Sequence, residues 1–354
     1  MRAWAVFVVV FSHLPFRPLV GGGIGVELFF VLSGFLITHL LLREYDRRKH
    51  IDLLAFYRRR AWRLLPALVL MLAVVDLWVA LDGKLETAYP GLLHANLVGS
   101  VWALGFALNW TNEVVGTFNH LWSLAIEEQF YIVWAPVLIL LSPKLNRTIA
   151  AWVLVGLTVL DLALQGWLFS SGAESLEKVH FSTYSHAYDL LIGAALAMAL
   201  TRSGMIVRPD WTKWLGRLSL PALLILTASL PVIFSSSMAV WFWWPLATVC
   251  CAVLVGGVVV GGGAWTAVLR LAPVVWLGRI SYSLYLWHVP VFIIVEGDGF
   301  LGGDTFRADV FKLALSVALA AASFHFVERP LLKRFASRDS TALKGARVPE
   351  VAAS

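Results

Sequence analysis

Long runs of apolar residues alternate with short polar stretches along the whole sequence. Eleven apolar segments can be distinguished, most of them close to the roughly 20 residues that a helix needs to cross a bilayer. They lie at about 3–14, 24–42, 64–82, 92–109, 121–141, 149–168, 184–201, 217–234, 239–260, 276–295 and 309–328. The pattern predicts an all-α fold, a polytopic transmembrane helix bundle that forms one membrane domain over residues 1–335.

The positions of the basic residues reduce the number of segments that are expected to cross. If all eleven segments crossed, basic loops would fall on both sides, against the positive-inside rule. The segment 92–109 is the most polar and carries His94, Asn96 and Asn109. If it is re-entrant or interfacial, the basic loops all face one side. We therefore predict about ten spans, both termini in the cytoplasm, and a disordered cytoplasmic tail over 336–354.

Composition agrees with a membrane protein and argues against several other classes. Of 354 residues, 59% are hydrophobic and 14% are charged, whereas soluble domains carry about 25% charged residues. The net charge of +6 comes from short loops between apolar runs, so we expect no nucleic-acid partner. The two cysteines, Cys250 and Cys251, are adjacent in an apolar run and are expected to be small interior residues. We find no set of metal ligands and predict no metal.

Ionisable residues stand at both ends of the first apolar run. On a helix, Arg2 and His13 are only about 20° apart around the axis and about 16 Å apart along it. Charged groups on one face of an apolar helix usually face a bundle interior or a wet cavity. In a simpler interpretation, Arg2 anchors the helix at the interface and His13 is a satisfied interior histidine. Pro15 interrupts the run, which is too short to cross alone.

A second cluster of basic residues follows the second apolar run. Arg58, Arg59, Arg60 and Arg63 lie within six positions, and pairs three or four apart share a helix face. Arginine side chains bind phosphate oxygens in a bidentate manner, so the cluster is typical of a phosphate clamp. The alternative is an ordinary cytoplasmic anchor that obeys the positive-inside rule.

The stretch 119–131 opens another span with an unusual number of polar groups. His120, Glu127 and Tyr131 are at helical spacings that place them on one stripe. A carboxyl group one turn inside a span favours a functional cavity. The alternative is an interfacial cap, in which Trp122 and Tyr131 belong to the aromatic belt and Glu128 is solvated.

Six motifs in this order resemble the acyltransferase family 3, whose members are integral membrane O-acyltransferases. The motifs are the Arg2–His13 pair, Gly25–Phe35, Phe56–Pro66, Trp122–Tyr131, Ile280–His288 and Val327–Pro330. The resemblance covers residues 1 to about 335, which makes this region an expected acyltransferase domain. Members usually carry several more residues before the first arginine, so we expect a start upstream of Met1. Some members add a C-terminal esterase-like domain; we expect none here and expect this chain alone to hold the acceptor.

The resemblance implies transfer of an acyl group, expected to be acetyl, from cytoplasmic acyl-CoA to a hydroxyl group. The expected acceptor is an envelope glycan, another hydroxylated sugar, a secondary metabolite or a lipid. Acyl-CoA is a co-substrate and no cofactor is bound permanently. The expected location is the bacterial plasma membrane.

The resemblance itself marks His13, Arg2, Arg60 and Arg63, and the positions of the other polar residues suggest the remaining roles. His13 matches the essential histidine and acts as general base or transient acyl carrier, with Glu127 and Glu128 as further catalytic candidates. The predicted donor-binding residues are Arg2, Arg58, Arg59, Arg60 and Arg63. The predicted acceptor or cavity residues are Glu27, Ser33, His120, Trp122, Ser123, Tyr131, Asp189, Tyr282, Tyr285 and His288.

A transporter or flippase without acyl transfer is the competing interpretation, because it too would contain buried charges and a cavity. Such proteins carry internal repeats and paired broken helices. We find no repeat of the first motif later in the sequence. Consumption of the acyl-CoA thioester would separate the two interpretations.

Overall fold

Helices make up most of the chain in the computed structural model, which describes residues 1–14, 21–111, 115–172, 181–232, 236–297 and 305–334. The predicted tail at 336–354 lies outside the described residues. The main helices are α1 (Arg2–Ser12), α2 (Gly23–Arg48), α3 (Leu53–Leu81), α4 (Gly83–Ala88), α5 (Leu92–Leu104), α6 (Trp122–Leu141), α7 (Arg147–Ser170), α8 (Ala187–Leu200), α9 (Thr212–Ala228), α10 (Trp244–Val259), α11 (Ala272–Gly297) and α12 (Phe306–Ala322).

Shorter elements connect these helices. Short segments of 3₁₀ or α-helix lie at Leu108–Trp110, Gly116–Leu121, Ser142–Lys144, Tyr184–His186, Ser236–Met238 and Ala264–Arg270. Two π-helical turns, Ala239–Trp243 and Ser323–Glu328, continue directly into or out of a long helix. The strands of the described part of the chain form one small antiparallel hairpin, in which Thr201–Arg202 pairs with Met205–Ile206.

Each of the eleven predicted apolar segments coincides with a helix, but their lengths differ. Within the described residues, seven continuous helical stretches are long and apolar enough to cross a membrane. This confirms the all-α bundle and the integral membrane assignment, whereas the count of about ten spans stays a prediction. Helix α5, in the segment 92–109, has 13 residues and is about 20 Å long. That is shorter than the roughly 30 Å of a hydrocarbon core.

Helix α2 lies at the centre of the bundle and makes its closest approach to α8. A Cβ atom at Gly34 would collide with the carbonyl oxygen of Leu190, and one at Gly193 would collide with that of Val31. The two backbones therefore touch, as small residues allow in membrane helices.

Helix α1 packs between α2 and α11. A Cβ atom at Gly25 would lie 2.5 Å from the carbonyl oxygen of Ala5, so α2 meets α1 backbone to backbone. Gly278 of α11 faces Ala3, and ten residues later His288 faces His13. Helices α1 and α11 therefore run parallel, and α1 ends near the middle of its longer neighbour.

Polar contacts tie several elements together at the C-terminal end of α2. Asp46 accepts hydrogen bonds from the Arg147 guanidinium at the start of α7 and from the backbone N–H of Gly204 in the hairpin. Arg147 also donates to the carbonyl oxygen of Thr201 at 2.9 Å. At the same end, Asp52 caps α3 by accepting from the N–H of Ala55. Helices α2 and α7 are thus fixed relative to one another at this end, and α3 begins beside them.

Candidate active site

A strongly basic pocket opens between α2 and α3. Its volume is about 430 Å³, and its charged lining consists of six arginines and one glutamate. These residues are Arg43, Glu44, Arg47, Arg48, Arg59, Arg60 and Arg63. We call this cavity the arginine pocket. Three of the predicted donor-binding arginines line it, whereas Arg58 does not.

The α2 side of the arginine pocket was not among the predicted donor-binding residues. Helix α2 continues beyond its apolar segment to Arg48, so that Arg43, Arg47 and Arg48 extend over the start of α3. Basic residues in the last turn also interact favourably with the helix dipole. The run of charges directly after residue 42 is the sequence signal that points to these residues.

Arg60 connects the arginine pocket to the interior of the bundle. Its guanidinium forms an ion pair with Glu128, with Nη2 to Oε1 at 2.5 Å and Nε to Oε2 at 3.4 Å. The same guanidinium lies over the ring of Tyr131, 3.6 Å from the centroid, which is a cation–π contact. Glu128 therefore binds Arg60 and does not line the inner cavity described next.

A small cavity of about 60 Å³ lies deeper between α1, α2, α6 and α11, with space for about two water molecules. The predicted site residues that line this inner cavity are Arg2, Ser123, Glu127, Tyr282 and Tyr285. The Arg2 Nε atom is buried and has no hydrogen-bond partner among the described residues.

Two hydroxyl groups hold the carboxyl group of Glu127 in place. Ser33 donates to its Oε1 atom at 2.7 Å, and Tyr131 donates to Oε2 at 3.5 Å. Since Ser33 is on α2 and Tyr131 is one turn further along α6, the carboxyl group is fixed between these helices. Arg2 and Glu127 thus line the same inner cavity.

Hydroxyl groups continue from the inner cavity towards a group of histidines. The Tyr285 hydroxyl lies 2.7 Å from Ser123 Oγ and donates to the carbonyl oxygen of His120. Because Tyr285 has a single hydroxyl proton, Ser123 must donate to Tyr285. The His120 ring lies 5.4 Å from the Tyr285 ring, centroid to centroid.

Three histidines from three different elements meet at the end of α1. The His13 and His288 ring centroids are 5.0 Å apart, and those of His120 and His288 are 5.3 Å apart. Each ring uses one nitrogen to donate to a carbonyl oxygen: His13 Nδ1 to Val9 at 2.8 Å, His288 Nδ1 to Tyr285 at 2.7 Å and His120 Nε2 to Leu286 at 3.2 Å. We call these three residues the histidine cluster.

The hydrogen bonds of the histidine cluster define which nitrogen remains available. A carbonyl oxygen only accepts, so the bonded nitrogen carries the proton and the other one has a lone pair in the neutral ring. The free nitrogens of His120 and His288 are buried. His13 is exposed, and no described residue bonds to its Nε2 atom. Of the three rings, His13 is therefore the one that a ligand can reach.

Other predicted cavity residues lie outside the inner cavity. Glu27 and Asp189 are buried close to each other between α2 and α8, and Asp189 accepts from Thr248 of α10 at 3.0 Å. Trp122 packs against Phe30 and His186, with ring centroids 6.2 and 5.1 Å away. The structure thus gives Glu27, Trp122 and Asp189 no direct contact with the inner cavity.

No group of three or more histidine, cysteine, aspartate or glutamate side chains is placed to hold a metal ion in the parts of the chain that the structure describes. Cys250 and Cys251 are free and buried, as predicted. The polar groups form one continuous line, which runs from the arginine pocket through Arg60 and Tyr131 to the inner cavity, and from there through Tyr285 to the histidine cluster.

Sequence comparison with known proteins identifies several relatives of this chain. The YrhL protein of Bacillus subtilis, whose assignment as a peptidoglycan O-acetyltransferase is provisional, is 32% identical over 347 residues. The match covers 94% of this chain and 54% of YrhL. The peptidoglycan O-acetyltransferase OatA of Listeria monocytogenes is 29% identical over 356 residues, which is 94% of this chain and 55% of OatA.

The O-acetyltransferase OatA of Staphylococcus aureus is 29% identical over 360 residues, again with 94% of this chain and 56% of the relative covered. The chain thus spans about half the length of the curated relatives it matches. No solved structure shows significant similarity to it. The sequence profile of the family Acyl_transf_3, described as an acyltransferase domain, matches residues 1–325. The chain therefore belongs to the acyltransferase family 3.

Proposed function

We propose that this protein transfers an acetyl group from cytoplasmic acyl-CoA to a hydroxyl group of an envelope glycan. The observation that carries the proposal is the line of polar side chains that joins the arginine pocket to His13 through the inner cavity. The names of the relatives, peptidoglycan O-acetyltransferases, make peptidoglycan the acceptor that we propose.

The arginine pocket suits the phosphate groups of coenzyme A. Six arginines against one glutamate give it a large excess of positive charge, and arginine binds phosphate through paired N–H groups. Leu40, Leu41 and Phe56 add an apolar wall. The acyl end of the ligand would then point past Arg60 towards the inner cavity. Because this cavity holds only about two waters, the acyl arm requires movement of side chains at its entrance.

The histidine cluster supplies the base. In the proposed step, His13 Nε2 removes the proton of the acceptor hydroxyl while the hydroxyl oxygen bonds to the acyl carbonyl carbon. The carbon–sulfur bond then breaks, and the thiolate of coenzyme A takes the proton from the imidazolium. Val9 fixes the ring in the required tautomer. Arg2 and Glu127 both line the inner cavity, through which the acyl arm would pass on its way to His13.

The same geometry supports an orientation in the membrane. We place the arginine pocket in the cytoplasm, since acyl-CoA is present there. Met1 and Glu328 lie at the same end of the bundle, because Ala3 faces Gly278 and Glu328 accepts from Ser283 of α11. If both termini are cytoplasmic, Met1 and Glu328 must lie at the same end of the bundle, as they do.

The proposal is tested with purified protein in proteoliposomes that receive acetyl-CoA on one side and a soluble muropeptide on the other. We expect release of free coenzyme A thiol together with acetylated muropeptide, and acetyl phosphate offered alone should not replace acetyl-CoA. Transport of either compound without loss of the thioester would instead support the transporter. Mass analysis of envelope glycans with and without the gene identifies the acceptor in cells.

A second experiment separates a base from an acyl carrier. Protein mixed with radiolabelled acetyl-CoA without acceptor is denatured rapidly and analysed for bound label. We expect none on His13, because a general base forms no covalent intermediate. Label that is lost in His13→Ala would establish acyl carriage through Nε2 and contradict the general-base step.

A further inference from the structure

An apolar groove lies between α7, α8 and α10, outside the site described above. Its volume is about 520 Å³. Small residues of all three helices contribute to its lining, namely Ala151, Ala195, Ala199 and Ala252. Larger side chains at these positions would fill the space, so alanine keeps the groove open. On α7 it extends from Thr148 to Val155, which is about 10 Å along the axis.

Aromatic and basic residues mark one end of the groove. Trp152 and Trp211 line it and are 71% and 47% exposed, as expected of indoles at a membrane–water interface. Arg202 also lines it, and its Nη1 atom donates to the carbonyl oxygens of Met198 and Thr201. Since Thr201 is bound by Arg147, this end of the groove lies at the same end of the bundle as the arginine pocket.

A second basic pocket adjoins the groove at Pro209, which lines both cavities. It measures about 460 Å³ and contains the exposed side chains of Arg208, Lys213 and Arg217, with Asp210 as its acidic residue. Within the described residues no ion pair neutralises these three cations. Gly261 has a φ of 89°, and the Arg208 guanidinium lies 3.3 Å from the place of its missing Cβ atom.

We propose that the groove and this second basic pocket together bind one anionic phospholipid. The headgroup phosphate would contact Arg208, Lys213 and Arg217, and one acyl chain would lie along the groove. Basic pockets between transmembrane helices bind such headgroups. A free phosphate leaves the apolar groove unexplained, whereas a neutral lipid leaves the three unneutralised cations unexplained. An anionic lipid accounts for both the apolar groove and the basic pocket.

The contribution of the second basic pocket is tested by the triple variant Arg208→Ser/Lys213→Ser/Arg217→Ser in the full chain. Purified protein is equilibrated with equal amounts of dioleoyl phosphatidylglycerol and dioleoyl phosphatidylcholine, and bound lipid is counted by native mass spectrometry. We expect the wild type to prefer phosphatidylglycerol. The triple variant should bind it about 100-fold more weakly, at about fivefold for each of the three lost charges near a membrane surface. Phosphatidylcholine binding should stay unchanged.

Two further variants complete the experiment. Ala151→Leu/Ala199→Leu fills the groove with all charges intact and should also weaken phosphatidylglycerol binding. The control removes three exposed basic residues elsewhere and should leave binding unchanged; it combines changes to serine at Lys144, Arg270 and Lys333.

Three results would overturn the proposal. These are equal phosphatidylglycerol binding by the wild type and the charge variant, an equal loss in the control variant, or full displacement of the lipid by an equal concentration of inorganic phosphate. If gel filtration shows that the charge variant does not fold, the groove-filling variant decides: undiminished phosphatidylglycerol binding by it contradicts the site.

Discussion

His13 and His288 lie edge to face at the end of α1, with ring centroids 5.0 Å apart, and each donates its Nδ1 proton to a carbonyl oxygen of its own helix. The two rings therefore share the same tautomer, with Nε2 as the free nitrogen. His288 is fully buried, whereas His13 is exposed. This difference in exposure, and not the tautomer, assigns the reaction to His13.

Replacing His13 tests that assignment most directly. His13→Ala should reduce acetyl transfer by a factor of about 10² to 10⁴, the usual effect of losing a general base. Membrane insertion and abundance should stay nearly unchanged, because the exposed ring contributes little packing. Transfer in proteoliposomes and immunoblots of membranes measure the two effects.

The amide variant His13→Gln serves as the control for positioning. Glutamine donates and accepts hydrogen bonds but neither removes a proton at neutral pH nor carries an acyl group, so it should be as inactive as alanine. Substantial turnover by the glutamine variant would reduce His13 to a positioning residue.

The arginine pocket predicts different effects for arginines on the same helix. Arg63→Ala should raise the apparent KM for acetyl-CoA, because a bidentate phosphate contact is lost, and Arg63→Lys should restore binding only in part. Arg58→Ala is the matched control, since Arg58 is on the same helix but does not line the pocket. Steady-state kinetics with equal KM values for Arg58→Ala and Arg63→Ala would contradict the pocket as donor site.

Arg60 should behave differently from Arg63, because it also pairs with the buried Glu128. Arg60→Ala should raise KM and also lower stability by about 3–5 kcal/mol, as when a buried ion pair loses one member. Thermal unfolding in detergent measures this loss. An unchanged midpoint would mean that the ion pair does not hold α3 against α6.

Tyr285→Phe should destabilise the protein without opening a cavity. It leaves the buried His120 carbonyl oxygen without its donor and removes the acceptor of Ser123, at a cost of about 1–3 kcal/mol. Tyr89→Phe, at a tyrosine that is 40% exposed, is the control in the same unfolding assay. Equal midpoints for the two variants would contradict the hydrogen bonds between Tyr285, Ser123 and His120.

Two glycines, one inside the contact between α2 and α8 and one outside it, should respond in opposite ways to replacement by alanine. Gly34→Ala places a Cβ atom against a backbone carbonyl and should lower stability by about 1–3 kcal/mol or more. Gly156→Ala in α7 meets no atom within 4 Å and should stabilise by about 0.5–1 kcal/mol through its better helix propensity. Detergent unfolding curves distinguish the two, and a neutral Gly34→Ala would contradict backbone contact.

The position of α5 predicts the topology of the segment 92–109. Single cysteines at Lys84 and Thr111 should both react with a membrane-impermeant thiol reagent added outside, whereas one at Arg48 should not. The native Cys250 and Cys251 are buried, so they add little background. Opposite accessibility at Lys84 and Thr111 would mean that α5 crosses, and the ten-span prediction would be wrong.

Sequence alone predicted the helices well because bilayer length and hydropathy determine them. It also placed Arg60 and Arg63 together, since residues at helical spacing share a face. It did not show that Arg43 and Arg47 form the opposite wall of the same pocket, because that contact depends on how α2 and α3 pack.

Tertiary packing also separated residues that the motifs grouped. Glu127 and Glu128 are neighbours in sequence, yet one faces the inner cavity and the other faces Arg60, since adjacent helical positions point about 100° apart. Glu27 lies in the same motif as Ser33 but faces Asp189 and not Glu127. A motif therefore identified the helix that carries the site, whereas the structure identified the face.

The glycine contact between α2 and α8 has a mechanical consequence for substrate entry. Where backbones touch, there are no side-chain rotamers that could rearrange to let the helices slide, so α2 and α8 must move as one rigid unit. One wall of the arginine pocket belongs to that unit. If the arginine pocket widens to admit a bulky nucleotide, we therefore expect α3 to be displaced from α2, at the cost of its contacts with α6.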